Sequence, residues 1–313
     1  MFTDRALGAL YGLAIGDALG MPTQELDRIR AAQVIGSPPA FCDGPADNPI
    51  SHGLPAGTVT DDTTQCMVIA RLLISGRGTI EPQKLADALL AWEREMAERG
   101  HSELLGPSTK KALAAVAAGQ DPRLTGRTGT TNGAAMRITP VGIATPIEPL
   151  ERLIAAVVAA DLVTHDTAVA HAGAAAVAAV VAAGVDGATF EEAAPHAIRA
   201  AGHFGFASMF QEALRKDSVD ALVERFGTGV ETAESVPTAF GVANLSRGDA
   251  WEACARAAGL GGDTDTMAAL AGAMVGATTG LSSLPESAVR MVREVNDLDF
   301  EPLVDGLLAL RRR

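Results

Sequence analysis

The chain has 313 residues, and its 25 Lys and Arg against 38 Asp and Glu give a formal net charge of −13. Hydrophobic residues make up 48% of the chain, aromatic residues 4% and charged residues 20%, which indicates a folded protein with a core of small aliphatic side chains. Because its negative field repels polyanions, the composition argues against general nucleic-acid binding and against attachment to anionic membranes.

Helical periodicity recurs along the whole chain and strand-like alternation is nearly absent, so we predict an all-α fold. No linker or internal repeat divides the sequence, which favours a single domain over residues 1–313. Boundary signals such as Pro82 and Gly100 support several helices. The predicted helices lie near 4–17, 64–76, 81–99, 107–118, 150–161, 167–184, 190–202, 249–258, 265–279, 284–297 and 300–311.

The longest irregular segment, 36–58, contains five prolines and four glycines. It is too long for a simple connection between packed helices. We interpret this segment, which we call the lid loop, as either an active-site lid or a disordered excursion.

The cysteines and the chain start carry no export or metal signal. Cys42, Cys66 and Cys254 are odd in number and widely spaced, which fits neither a disulfide framework nor a zinc site. The N-terminal sequence has no basic leader and no cleavage-like site, so we expect a cytoplasmic protein. The window 167–185 is the most membrane-like, but it is rich in alanine, and we predict a buried helix of a soluble protein.

Two clusters of Thr and Asp precede apolar helices, at 58–64 and at 261–266. Each alone could be an N-cap, because Thr and Asp oxygens satisfy the free amides of a helix start. Together they offer only oxygen ligands, which suits a hard divalent cation such as Mg²⁺, Mn²⁺ or Ca²⁺. Their four carboxylates would balance two divalent ions, so a two-metal site is plausible.

A Gly- and Thr-rich segment, 126–137, precedes a further helix start. Its unhindered amides could approach phosphate or ribose closely, although a surface loop would have the same composition. His165, at the start of the Ala-rich helix, is either a capping or core residue or a ligand-binding one. His52 in the lid loop is a weaker candidate of the same kind.

Five motifs stand in an order that resembles the ADP-ribosylglycohydrolase family, which includes the dinitrogenase-reductase-activating glycohydrolase and the ADP-ribosyl-acceptor hydrolases. They are G-D-A-L-G at 16–20, T-D-D-T at 60–63, T-N-G-A-A-M-R at 131–137, T-H-D at 164–166 and G-G-D-T-D-T at 261–266. The resemblance implies a compact orthogonal multi-helix bundle. It also implies a metal-dependent hydrolase that cleaves the N- or O-glycosidic bond of an ADP-ribosyl group with two Mg²⁺ or Mn²⁺ ions.

The resemblance also assigns residues. The implied metal ligands are Thr60, Asp61, Asp62, Asp263, Asp265 and Thr266. The implied substrate contacts are Asn132, Gly133 and Ala134, with His165 bonding ligand oxygens and Arg137 either a phosphate partner or a buried ion-pair residue. The resemblance implies a place near the metals for Asp17, although this residue could equally cap a helix or make a hydrogen bond in the core.

The sequence departs from the family at Gln24, where many members have a glutamate. An amide can orient a water but cannot take its proton. The adjacent Glu25 is either a replacement through a shifted loop or a solvated surface charge. A metal-activated water assisted by Asp62 or Asp265 would need no glutamate at position 24 or 25. We prefer this explanation to the use of Glu25 as the base and to a loss of turnover.

Two other functions fit the same residues. The first is hydrolysis of a nucleoside or small ribosyl conjugate, which is motivated by Gln24 and the proline-stiffened loop. The second is a non-catalytic ADP-ribose-binding protein that has lost the acid. The expected partner is ADP-ribose or an ADP-ribosylated substrate, and the sequence leaves the linkage, the preferred ion and the oligomeric state open.

Overall fold

The structure, a computed structural model, describes residues 2–98 and 105–312. These residues form helices joined by loops, and their one β-type pairing is an isolated bridge between Thr131 and Glu231. The helices are α1 (Phe2–Gly20), α2 (Arg28–Ile35), α3 (Asp61–Ser75), α4 (Pro82–Glu98), α5 (Pro107–Ala117), α6 (Gly133–Met136), α7 (Thr139–Ala144), α8 (Leu150–Asp161), α9 (Ala168–Val185), α10 (Phe190–Gly202), α11 (Ala207–Leu214), α12 (Val219–Phe226), α13 (Thr232–Leu245), α14 (Ala250–Ala258), α15 (Thr264–Thr279), α16 (Glu286–Asn296) and α17 (Glu301–Arg311). The predicted all-α fold is confirmed.

All eleven predicted helices are present, with ends that differ by three residues or fewer where the structure describes them. The predicted stop at Gly100 lies outside the described residues. The prediction was wrong in leaving out α2, α6, α7, α11, α12 and α13. Five of these have eight residues or fewer, which is shorter than the stretch over which helical periodicity is read, and α13 is interrupted by Pro237, which removes a helical hydrogen bond.

The Ala-rich helix α9 lies in the core. It is long and apolar enough to cross a membrane, but 89% of that stretch is buried inside the protein, where it packs against α7, α10 and α15. Small side chains on every face let several helices approach α9 at once. This explains how a core with few aromatic residues reaches close packing.

Helices α1 and α15 pack antiparallel with their backbones in contact. Glycines recur every fourth residue along the α1 face that meets α15, and a Cβ added at any of them would lie 2.0–2.4 Å from a carbonyl oxygen of α15. The four pairs are Gly8 with Gly276, Gly12 with Gly272, Gly16 with Ala268 and Gly20 with Thr264. Only glycine permits this approach, which also favours Cα–H···O contacts between the two helices.

The antiparallel contact determines where the acidic side chains lie. It sets the last turn of α1, with Asp17, beside the first turn of α15, with Asp265. Helix α3 packs against both, so that its first turn, with Asp61 and Asp62, joins them. Three helix ends that are distant in sequence therefore meet at one point.

We expect Gly12→Ala to destabilise the protein by about 1–3 kcal/mol, because the new methyl group would displace α15. Gly106→Ala is the control, since a Cβ there meets nothing within 4 Å and its φ of −63° suits alanine. Urea unfolding measures both free energies. Equal stability of the two variants would contradict the packing argument.

Candidate active site

Asp17 caps helix α3 from a different helix. Its carboxylate accepts hydrogen bonds from the backbone amides of Thr60 and Thr63 at 2.9–3.1 Å, and from their hydroxyls at 2.8 and 2.5 Å. Thr60, the N-cap residue itself, makes no side-chain cap bond. Burial raises the pKa of Asp17 to about 6, although these hydrogen bonds favour the ionised form. The structure thus gives Asp17 the capping role.

Four more carboxylates, each 95% buried or more, surround this junction. Asp61 and Asp62 come from the first turn of α3, and Asp263 and Asp265 from the start of α15. Oxygens of Asp61, Asp62 and Asp265 lie within 4.8 Å of one another. The structure therefore brings together the two Thr/Asp clusters, whose residues Asp62 and Thr266 are 204 positions apart in sequence.

Neutral donors hold the four carboxylates in place. Each carboxylate accepts at its Oδ2 atom: from Gln65 Nε2 to Asp61 (3.0 Å), from Thr266 Oγ1 to Asp62 (3.3 Å), from Asn132 Nδ2 to Asp263, and from Gln24 Nε2 to Asp265 (2.5 Å). Thr60 Oγ1, whose one hydrogen is donated to Asp17, also lies 3.3 Å from Asp265 Oδ2. The Oδ1 atoms of Asp62 and Asp265 are buried and have no partner among the described residues.

The cluster is electrostatically costly. Burial, and then repulsion between the carboxylates, raises the pKa values of Asp61, Asp62 and Asp265 well above their usual range. Burial also raises the pKa of Asp263, with a contribution from Glu25. Oxygen ligands, a concentration of negative charge and two unpartnered oxygens are what a hard divalent cation requires. The residues present therefore fit such an ion.

Two glycines shape the turn into α15. Gly261 and Gly262 have φ values of 76° and 77°, where a side chain is strained, and a Cβ at Gly262 would lie 2.4 Å from the Thr228 carbonyl oxygen. The turn pairs with the chain after α1, because Glu25 N donates to Gly262 O at 2.8 Å. This pairing fixes Asp263 beside Glu25.

Above the carboxylates lies a cavity of about 240 Å³. The predicted site residues that line it are Gln24, Glu25, Asp61, Asn132, Gly133, Asp263 and Thr266. The remaining predicted metal ligands, Thr60, Asp62 and Asp265, lie buried in the adjoining cluster. Sequence reasoning missed Ile50, Thr109, Lys110, Met136 and Val230, which also line the cavity. The predicted start of α5 was the one signal that could have pointed to Thr109 and Lys110.

The Gly/Thr segment forms one wall of the cavity. Asn132 N donates to Val230 O at 2.9 Å, and Thr232 N donates to Thr130 O at 3.0 Å, which ties the segment to the start of α13. The Asn132 side chain also donates to Ser235 Oγ at 2.8 Å. The Asn132 side chain, which donates to Asp263, is therefore held in place by the backbone pairing with Val230 and by the bond to Ser235.

Three predicted substrate contacts lie behind this wall. Ala134, Arg137 and His165 are fully buried and do not line the cavity. Arg137 donates to Gln65 Oε1 at 3.0 Å and to the Thr164 hydroxyl at 2.5 Å, with no ion pair among the described residues. Burial lowers its pKa to about 10. In this structure the Arg137 side chain, at the C-terminal end of α6, points inward and supports Gln65 and Thr164 instead of lining the cavity.

The lid loop packs over the site. The Asn48 side chain, 2% exposed, donates to the backbone carbonyl of Gln24 at 2.8 Å and accepts from the backbone amides of Ile50 and Ser51. Ile50 reaches the cavity. His52 is exposed, and within residues 2–98 and 105–312 its one hydrogen bond is with the Asn48 backbone carbonyl, at 3.0 Å. The loop therefore positions Gln24, and His52 lies away from the cavity.

We expect Asp17→Asn to destabilise the protein by about 1–3 kcal/mol, because an amide NH₂ would face donors that now bond a carboxylate. Asp249→Asn is the matched control, since Asp249 caps α14 with one bond to an exposed amide that asparagine can equally accept. Chemical denaturation of both variants tests this. A loss at Asp249 as large as that at Asp17 would contradict the shared-cap account.

The raised carboxyl pKa values predict a pH effect on the metal-free protein. The folded chain holds protons that the unfolded chain has already released above pH 4, so stability should fall as pH rises from 5 to 8. Asp62→Asn removes one like charge and should raise the unfolding midpoint in EDTA by roughly 2–5 °C. Mn²⁺ should stabilise the wild type but not this variant.

Asp161→Asn provides the control for that measurement. Asp161 is equally buried but bonds His171 at 3.1 Å, outside the carboxylate cluster. Its loss should lower the unfolding midpoint and leave the response to Mn²⁺ intact. A wild-type protein whose midpoint is unchanged by Mn²⁺ would argue against a metal at the cluster.

Comparisons with known proteins identify the family to which the chain belongs. A family model described as ADP-ribosylglycohydrolase matches residues 1–313. YegU, an uncharacterised protein of Escherichia coli, is 31% identical and aligns over 100% of this chain and 99% of its own. The ADP-ribosylarginine hydrolase Tri1 of Pseudomonas putida is 29% identical over 98% of this chain and 81% of its own.

A solved structure described as an ADP-ribosylglycohydrolase-related protein complex has the same fold. It superposes with a TM-score of 0.72 at 26% identity and covers 99% of this chain and 98% of its own. The match over the full length includes both Thr/Asp clusters and the cavity wall. The chain therefore belongs to the ADP-ribosylglycohydrolase family, enzymes that hydrolyse the glycosidic bonds of ADP-ribose.

Proposed function

We propose that this protein removes ADP-ribose from an arginine side chain, in a protein or a small conjugate, with two Mg²⁺ or Mn²⁺ ions in the carboxylate cluster. The observation that carries the proposal is the group of buried carboxylates with unpartnered oxygens beneath a polar cavity. The similarity to an ADP-ribosylarginine hydrolase supports the linkage.

The residues proposed to hold the ions are the four Asp of the cluster with Thr60 and Thr266. Their unpartnered oxygens, Asp62 Oδ1 and Asp265 Oδ1, are the first candidates because nothing else in the described chain satisfies them. When bound, divalent cations supply Lewis acidity, lower the pKa of water and stabilise negative charge in the transition state.

Gln24 acts as an orienting group in this proposal. Its NH₂ group is committed to Asp265, while its carbonyl oxygen Oε1 is buried without a partner among the described residues. That oxygen can accept a hydrogen bond from a water or a ribose hydroxyl in the cavity. It cannot take the proton, so a carboxylate must hold it.

Asp62 and Asp265 are the proposed proton acceptors. Burial raises the pKa values of both carboxyl groups well above their usual range, so that each can hold a proton in the metal-free protein. Glu25 is a second candidate on the cavity rim, held at a φ of 61° by its bond to Gly262. Its exposed carboxylate lines the cavity and would attract a guanidinium there.

We expect the metal-stripped protein to be inactive on ADP-ribosyl-arginine and to release ADP-ribose when Mg²⁺ or Mn²⁺ is restored. Asp265→Asn should lower kcat at least about 100-fold, because the neutral side chain neither holds a cation nor accepts a proton. Glu25→Gln should change KM more than kcat. Product analysis by chromatography, with Asp161→Asn as the control, measures each effect.

The substrate panel should include simple nucleosides beside the ADP-ribosyl substrate. Release of free base from nucleosides alone would replace the proposal with hydrolysis of small ribosides. Metal-dependent binding of ADP-ribose with no turnover of any substrate would indicate a binding protein. Full activity of Asp265→Asn would contradict the assigned carboxylate role.

A further inference from the structure

A buried chain of hydrogen bonds runs from Arg137 to the cavity wall. Arg137 Nη2 bonds the Thr164 hydroxyl at 2.5 Å, and the same oxygen lies 2.7 Å from His165 Nδ1. His165 Nε2 in turn lies 3.1 Å from the Thr131 hydroxyl oxygen. Arg137, Thr164 and His165 are fully buried, and Thr131 lines the cavity. The chain joins a buried cation to a side chain that a ligand can reach.

The cation fixes the direction of the first two bonds. A guanidinium has five donors and no acceptor, so the Thr164 oxygen accepts from Arg137. The single hydrogen of that hydroxyl then has one remaining neighbour, His165 Nδ1. Were Nδ1 protonated, the Thr164 hydrogen would be buried without an acceptor, at a cost of about 1–3 kcal/mol. His165 Nδ1 therefore accepts.

The imidazole passes this direction on. Burial, followed by the charge of Arg137, lowers the pKa of His165 well below its usual range, so the ring is neutral and carries one N–H. With Nδ1 accepting, that N–H is on Nε2, and it donates to the Thr131 oxygen. Gly133 packs against the ring, since a Cβ there would lie 2.7 Å from His165 Cε1. The close contact holds the ring in this orientation.

Thr131 is left with a hydrogen that cannot point toward His165. Its side chain makes no other hydrogen bond in the part of the chain that the structure describes. We infer that Thr131 is an obligate hydrogen-bond donor to the substrate, aimed at an acceptor-only oxygen of the phosphate type, with its direction imposed by Arg137. The identity of the ligand rests on the proposed function, whereas the direction of the chain does not.

Arg137 orients the opposite side of the site by the same logic. Its Nη1 donates to Gln65 Oε1 at 3.0 Å, so the NH₂ end of that amide faces Asp61. One buried cation thus presents a donor to the carboxylate cluster and another to the substrate wall. Arg137 is a positioning residue that reaches neither ligand directly.

The direction can be tested in the ligand-free protein by long-range ¹H–¹⁵N NMR on histidine-labelled material. The chain has six histidines, and the His165→Gln variant would assign the signal. We expect His165 to remain neutral from pH 5 to 8 with the proton on Nε2. A proton on Nδ1, or titration to imidazolium in this range, would overturn the inference.

The donor role can be tested by calorimetric titration of ADP-ribose in the presence of Mg²⁺. Thr131→Val, which keeps the shape but loses the hydroxyl, should bind about tenfold more weakly, whereas Thr131→Ser should stay within about threefold of the wild type. Equal affinity of wild type and Thr131→Val would overturn the donor role. If the wild type does not bind ADP-ribose, the proposed function and the substrate half of this inference both fail, while the tautomer of His165 still decides the direction of the chain.

Discussion

The structure depends on the direct backbone contact between α1 and α15. Because four glycines of α1 face the carbonyl oxygens of α15, the two helices approach more closely than side chains would allow. The approach brings Asp17 to the first turn of α15 and leaves room for α3 to begin at the same point. The cap of α3 and the cluster of carboxylates both follow from this contact.

The carboxylate cluster lowers the stability of the folded, metal-free protein. Five aspartates share a buried junction, where repulsion from neighbouring carboxylates raises the pKa values of Asp61, Asp62 and Asp265, and no arginine or lysine forms an ion pair with any of the five among the described residues. Neutral donors orient the carboxylates instead, which preserves negative charge for a cation. Buried charge without a partner lowers stability, so the arrangement is better explained by ligand binding than by folding.

The sequence was informative wherever a local pattern decided the outcome. Caps and periodicity predicted α8 and α10 to the residue, and the paired Thr/Asp clusters predicted that oxygen ligands would meet. The length of the lid loop also indicated a role near the site, where Asn48 and Ile50 now lie.

The sequence alone did not show how deeply the site side chains are buried or which neighbours they bond. The motif ending in Arg137 suggested a phosphate contact, but the short helix α6 buries that side chain against Thr164, which only tertiary packing determines. Likewise, the sequence showed Gln24 only as a missing glutamate, whereas in the structure its side-chain NH₂ donates to Asp265 and holds that carboxylate in place. Lys110 and Val230 reach the cavity from segments with no motif at all.

The most direct test is a crystal structure of the protein soaked in Mn²⁺ and measured at a wavelength where manganese scatters anomalously. We expect two anomalous peaks between the first turns of α3 and α15, coordinated by oxygens that include Asp62 Oδ1 and Asp265 Oδ1. If the protein binds Mn²⁺ in solution but the anomalous map shows no peak at this junction, the proposed two-metal site is contradicted.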